Sequence, residues 1–129
     1  MDAQYFLKIS FNSVESNINM EVLEFDKTDL QGQLSNCYRA LDCTNIDIIP
    51  FSNKIDFIVD DEGLLASGNP VFKIPSVLYM EDLHIAGDFL VATKKISPQG
   101  IKNIAGFNNI KEIQDVVSQL KITLVGIVN

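Results

Sequence analysis

Between Tyr5 and Leu41 the apolar residues change their repeat, and that change restricts the chain to folds that mix strands with helices. Tyr5, Leu7, Ile9 and Phe11 alternate with Phe6, Lys8 and Ser10, the period of two of a half-buried strand. A polar run over 12–19 reads as a turn or loop. Residues 20–25 resume as a second strand, with Met20, Val22 and Glu24 on one side and Glu21, Leu23 and Phe25 on the other. The two strands suggest a hairpin. Leu30, Leu34, Cys37, Tyr38 and Leu41 then form one stripe of a 3.6-residue period. Thr28 and Gln31 fit a capping box at its start, and Asp26 and Asp29 suit the positive end of the helix dipole.

Strand patterns return over 46–51 and 55–60, with a turn at Asp60, Asp61, Glu62 and Gly63. Pro70 and Pro75 make 66–76 read as a loop before a short strand at 77–80. Residues 83–93 read as strands, with a turn or bulge at Gly87 and Asp88. The stretch 94–109 contains Pro98, Gly100 and Gly106 and reads as a linker. Ile110, Ile113, Val116, Val117 and Leu120 follow as a second amphipathic helix, capped by Asn108 or Asn109, and 122–128 closes as a strand or buried tail. The expected fold class is α+β, one domain over 1–129 with a mostly antiparallel sheet and two α-helices. At 129 residues such a domain buries roughly two-thirds of its unfolded surface and needs no disulfide or metal.

Charge is divided unevenly along the chain. Residues 1–62 carry 12 carboxylates against 4 basic side chains, and residues 63–129 carry 5 against 6. A leading half of this sign repels nucleic acid and attracts basic protein. The residues expected to meet a partner are Glu21, Glu24, Asp26, Asp29, Asp42, Asp47, Asp60, Asp61 and Glu62, gathered into one electronegative face. The same carboxylates would also keep a small protein soluble. Arg39 is the one arginine, and phosphate neutralisation drives most nucleic-acid affinity, so direct nucleic-acid binding is not expected. Open sheet edges leave pairing with a second copy, or with a partner strand, as further modes of association.

Catalytic and metal chemistry find little support. Asp56, Asp60, Asp61 and Glu62 form the densest carboxylate cluster, but Phe57, Ile58 and Val59 interrupt the alternating ligands that a calcium loop needs. A solvated hairpin turn closed by Gly63 at positive φ is the expectation. His84, the single histidine, is set between Leu83 and Ile85, and Cys37 or Cys43 could approach it as a nucleophile only by accident of folding. Cys37 and Cys43 match neither a redox nor a zinc pair and read as small buried hydrophobes. No glycine-rich phosphate motif occurs. The reading is therefore a non-enzymatic protein without cofactor or metal. No stretch approaches the roughly 18 apolar residues of a membrane helix, nor does a leader pattern appear, so a cytoplasmic location is expected.

The middle of the chain, 30–93, resembles a family of small uncharacterised proteins of phages and conjugative elements. The resemblance is carried by the spaced leucines of 30–41, the strand 46–50, the strand and acidic turn of 55–63, the Asn69 and Pro70 step, and the closing strand 87–92. Cys43 and Thr44 stand where the family has a Gly-Gly pair, and Asp60 and Asp61 replace its Asn and Glu. Residues 94–129 lie outside the resemblance, as a C-terminal helix and strand extension. The resemblance implies origin in a phage or mobile element. Together with the acidic leading half and the missing catalytic constellation, it leads to the expectation of an accessory protein acting in the host cytoplasm on a host protein with a basic surface, with counter-defence, such as CRISPR inhibition, as its purpose. The alternative is a small-molecule sponge or sensor for a nucleotide signal. Phe51, Phe57, Tyr79 and Phe89 would stack the base, and Arg39 or Lys73 would meet the phosphate.

Overall fold

The computed structural model describes residues 3–76, 78–96 and 102–129; the expectations at Val77, Pro98 and Gly100 lie outside them. Along the chain run β1 (Ala3–Asn12), β2 (Asn17–Asp26), α1 (Leu30–Leu41), β3 (Ile46–Pro50), β4 (Ile55–Asp60) and a 3-10 turn (Gly63–Leu65). Then come β5 (Pro70–Ser76), β6 (Glu81–Ala86), β7 (Phe89–Ile96), β8 (Lys102–Ala105), α2 (Ile110–Val117) and β9 (Thr123–Ile127). One sheet has the order β2-β1-β7-β4-β3, with β8 also paired to β7, and a second has the order β6-β5-β9. Every described ladder is antiparallel, so the chain has the α+β architecture that the two apolar periods require.

The layers follow from which residues each strand turns inward. Leu7 and Ile9 of β1, Phe57 and Val59 of β4, and Phe89 and Val91 of β7 form one core with Phe72 and Ile74 of β5 and Ile113, Val116 and Leu120 of the α2 region. The rings of Phe51, Phe57, Phe89 and Phe72 run through it in sequence at centroid distances of 5.0, 5.1 and 5.5 Å, a spacing that favours edge and tilted contacts. On the opposite face of the large sheet, Phe6, Ile58, Leu90 and Ala92 pack beneath Cys37 and Leu34 of α1. The small sheet and α2 thus cover one face of the large sheet, and α1 covers the other.

Several expectations change. β1 is buried on both faces, because α1 lies over Phe6 and Gln4; alternation alone shows only one of them. The hairpin turn shrinks to residues 13–16, since β1 and β2 pair in register from Ala3↔Asp26 to Asn12↔Asn17. Residues 70–76 are a strand and residues 78–80 a turn, the reverse of the expected order. Both prolines fit because Pro70 opens β5 and Pro75 lies beyond the Pro70–Lys73 stretch that β9 pairs. The expected linker instead contains the end of β7 and β8, joined from Thr93↔Ala105 to Ile96↔Lys102. Gly87, at φ 92°, is more than a bulge: it carries the chain from β6 in the small sheet to β7 in the large one.

Capping and turn chemistry also differ in detail. The N-cap of α1 is Asp29, whose carboxylate accepts from the Gly32 N–H at 2.9 Å, in place of the Thr28 box. Asn109 caps α2 by accepting from the Glu112 N–H, while Glu112 accepts from the Asn108 N–H, a reciprocal arrangement that satisfies two orphan donors. Gly63 has no positive φ. It is needed for close approach, since a Cβ there would collide with the Ala86 carbonyl oxygen.

Candidate functional site

The nine carboxylates of the leading half sit at the surface, eight exposed and Asp60 half-buried, but they do not form one face. Glu21, Glu24 and Asp26 line β2 at one edge of the large sheet, with Asp29 at the start of α1. Asp47 lies on β3 at the other edge, and Asp42 caps the far end of α1. Asp60, Asp61 and Glu62 leave the end of β4 beside them, where Asn45 donates to Glu62 and the Asp61 N–H donates to the Asn45 carbonyl. Four strand spacings separate the two edges, roughly 19 Å. The twelve-residue α1 keeps its ends roughly 18 Å apart. The structure thus brings together two acidic groups, one around β2 and one around the α1–β3 junction.

Among the described residues, neither group is neutralised by a lysine of this chain. Among the described residues the ion pairs are Lys8–Asp88 at 3.8 Å, Lys73–Asp82 at 3.9 Å and Lys94–Asp56 at 3.2 Å, none of which uses the nine carboxylates. The carboxylate run of β4 is itself divided. Asp56 is buried against Lys94, and Asp60 stands four residues along the strand, roughly 13 Å away. Among the described residues no group of three His, Cys, Asp or Glu is disposed to hold a metal ion.

Burial, with Cys43 nearby, pushes the Cys37 thiol up to about 11. Burial also raises Cys43, reinforced by the Asp60 and Asp42 carboxylates and opposed by a backbone hydrogen bond from Asn45. Both are therefore thiols rather than thiolates at neutral pH. His84 is exposed on β6 in the small sheet, whereas Cys37 packs on the opposite face of the large sheet. A cysteine–histidine pair is not assembled. Of the aromatic residues suggested for stacking a base, Phe51, Phe57 and Phe89 are packed on one another inside the core, and Tyr79 is in the turn before β6. Arg39 donates to Asn36 on α1, and Lys73 pairs with Asp82 across the small sheet.

Two concavities flank the β2 side of the molecule. A groove of about 600 Å³ runs between β2 and α1, lined by Glu24, Phe25, Asp26, Asn36 and Arg39 among others. A cleft of about 780 Å³ opens between the starts of α1 and α2, where Lys27, Lys54 and Lys94 face Asp29, Glu112 and Asp115. Its floor holds a polar pairing that residue patterns do not announce. Gln4 and Gln33 exchange amide hydrogen bonds, and the Gln4 oxygen also accepts from the Gly106 N–H at 3.1 Å. Gln4 shares a strand face with Phe6, and Gln33 lies one turn before Cys37, so both occupy positions that face the core; that placement is the available signal.

No helix among the described residues is long and apolar enough to cross a membrane. A search of curated proteins and of solved structures returns no match. A family model does match, over residues 11–101, a wider span than the resemblance of 30–93 and one that takes in β2, α1 and the strands through β7. The chain belongs to the family described as domain of unknown function DUF3846.

Proposed function

We propose that this protein is a non-enzymatic binding protein that docks a basic surface of a partner protein through the carboxylates of its leading half. The observation that carries the reading is the pairing pattern. Every ion pair among the described residues spends a carboxylate other than the nine, so the nine retain their charge for an external cation. Two patches of like sign steer a basic partner and make its association salt-sensitive. The same charge disfavours nucleic acid as a direct ligand. In the setting implied by the resemblance, a phage or conjugative element, the partner is a cytoplasmic host protein and the purpose is counter-defence.

Capture from a lysate of the cells that carry the gene tests this reading. Partners retained at low salt should be released at high salt and lost when the nine carboxylates are changed to their amides. Retention that ignores both salt and amidation contradicts it. A second reading, a small-molecule sponge or sensor, is favoured by the cleft between the helix starts, which offers Lys27, Lys54 and a buried amide floor beside the paired Lys94. A thermal-shift screen with nucleotides separates the two, because a ligand bound only to the native state raises the midpoint.

A further inference from the structure

We infer that β2 is the docking edge itself, and that it accepts an extended basic segment of the partner as an additional strand of the large sheet. The inference rests on the acidic docking reading and specifies its geometry. β2 extends over ten residues without proline or glycine, and among the described residues only β1 pairs with it. The described elements at the other sheet edges are shorter: β3 and β9 have five residues, β6 six and β8 four. A long open edge presents a row of backbone donors and acceptors that another chain can complete.

Charge decides the occupant. Between residues 15 and 29 the chain carries Glu15, Glu21, Glu24, Asp26 and Asp29 against Lys27 alone. A second copy is a poor fit: it would set another run of five carboxylates and one lysine against the first, and like charges brought together across an edge are destabilising. A basic strand converts that repulsion into attraction.

The β2 side chains also set the sequence pattern of the incoming strand. Residues directly opposite one another share a sheet face. Met20, Val22 and Glu24 project to the face opposite α1, where Met20 and Val22 are 42% and 40% exposed. Glu21, Leu23 and Phe25 project to the α1 face, where Leu23 and Phe25 meet the core beneath α1. The strand opposite residues 21–24 therefore reads basic, apolar, apolar, basic, in either chain direction. Its flank passes along the groove between β2 and α1, where Glu24 and Asp26 form part of the wall.

The test uses the full chain and a soluble decapeptide with a Lys-Val-Ile-Lys core, with a Glu-Val-Ile-Glu peptide as the opposite-charge control. Amide resonances of β2 should shift with the lysine peptide and not with the glutamate peptide. Glu21→Lys/Glu24→Lys should weaken the lysine peptide roughly tenfold or more and let the glutamate peptide bind instead. If that variant fails to fold, Glu21→Gln/Glu24→Gln should show a smaller loss in the same direction. Shifts confined to the Asp42 and Asp60–Glu62 end overturn the edge assignment while leaving acidic docking intact. So does a lysine peptide that fails to bind while salt-sensitive lysate capture survives the β2 variants. Absence of both peptide binding and salt-sensitive capture with the unaltered chain overturns the docking reading as well.

Discussion

The two edges of the large sheet are built differently. β3 has five residues, ends in Pro50, and gives its Ile48 N–H to the Asp47 carboxylate at 2.9 Å. It is short, proline-terminated and partly satisfied by its own side chain, the devices that keep an edge from pairing. β2 has ten residues and none of those devices except charge, and its charge has one sign. An edge protected by carboxylates repels its own kind and stays open to a basic chain; an edge protected by proline and self-bonding is closed to both.

The contrast can be broken most forcefully at the shared foundation. Phe89 is fully buried between Phe57 and Phe72, so Phe89→Ala should cost about 3–5 kcal/mol by denaturant unfolding and loosen both edges together. Loosening confined to one edge would show that the sheet is not a common base for them. Gln4→Leu comes next. It leaves the Gln33 amide and the Gly106 N–H without their partner and removes the Gln4 donor at 3.5 Å from the Asp26 carbonyl. A loss of about 1–3 kcal/mol, with faster exchange at the α1 start and the end of β2 but not at β3, would place that polar lock on the β2 side.

The remaining changes are smaller. Asp47→Ala removes the self-bond of β3 and should cost about 0.5–1.5 kcal/mol, read as faster exchange of the Ile48 amide. No acceleration there would mean that β3 is not blunted by its own carboxylate. Asp88 is a charge control used by neither edge. Burial raises its carboxyl above 3.8 and Lys8 opposes the rise, so the folded state binds more protons than the unfolded chain from 3.8 up to the raised value. Stability therefore falls as pH rises through that window. Asp88→Asn should raise the thermal midpoint at neutral pH by an amount worth about 0.5 kcal/mol or less, with the gain gone below pH 3.8; a gain that persists in acid would contradict the burial origin.

The residue pattern reveals the elements that show a full period and hides those that are short or carry turn residues. β1, β2, β4, α1 and α2 are legible because each shows its period within a dozen residues, and the bounds of α1 coincide with Leu30 and Leu41. β5 is hidden because Pro70 and Pro75 taken locally say loop, while the β9 strand that pairs Pro70 with Ile127 is distant; β8 is hidden although its partner β7 is near, because its four residues are too few to show a period. The division of β6 and β7 between two sheets has only Gly87 to mark it. At the candidate surface the sign of the charge is legible, but its arrangement is not. Strand order puts Glu24 and Asp47 on opposite edges, and no local pattern encodes strand order.

Single-residue amide exchange of the full chain, with and without the Lys-Val-Ile-Lys peptide, tests the openness of β2 most directly. Alternate amides along β2 should slow by roughly tenfold when the peptide completes their hydrogen bonds, while those of β3 stay as they were. Equal slowing at both edges, or slowing at β3 alone, would contradict the account.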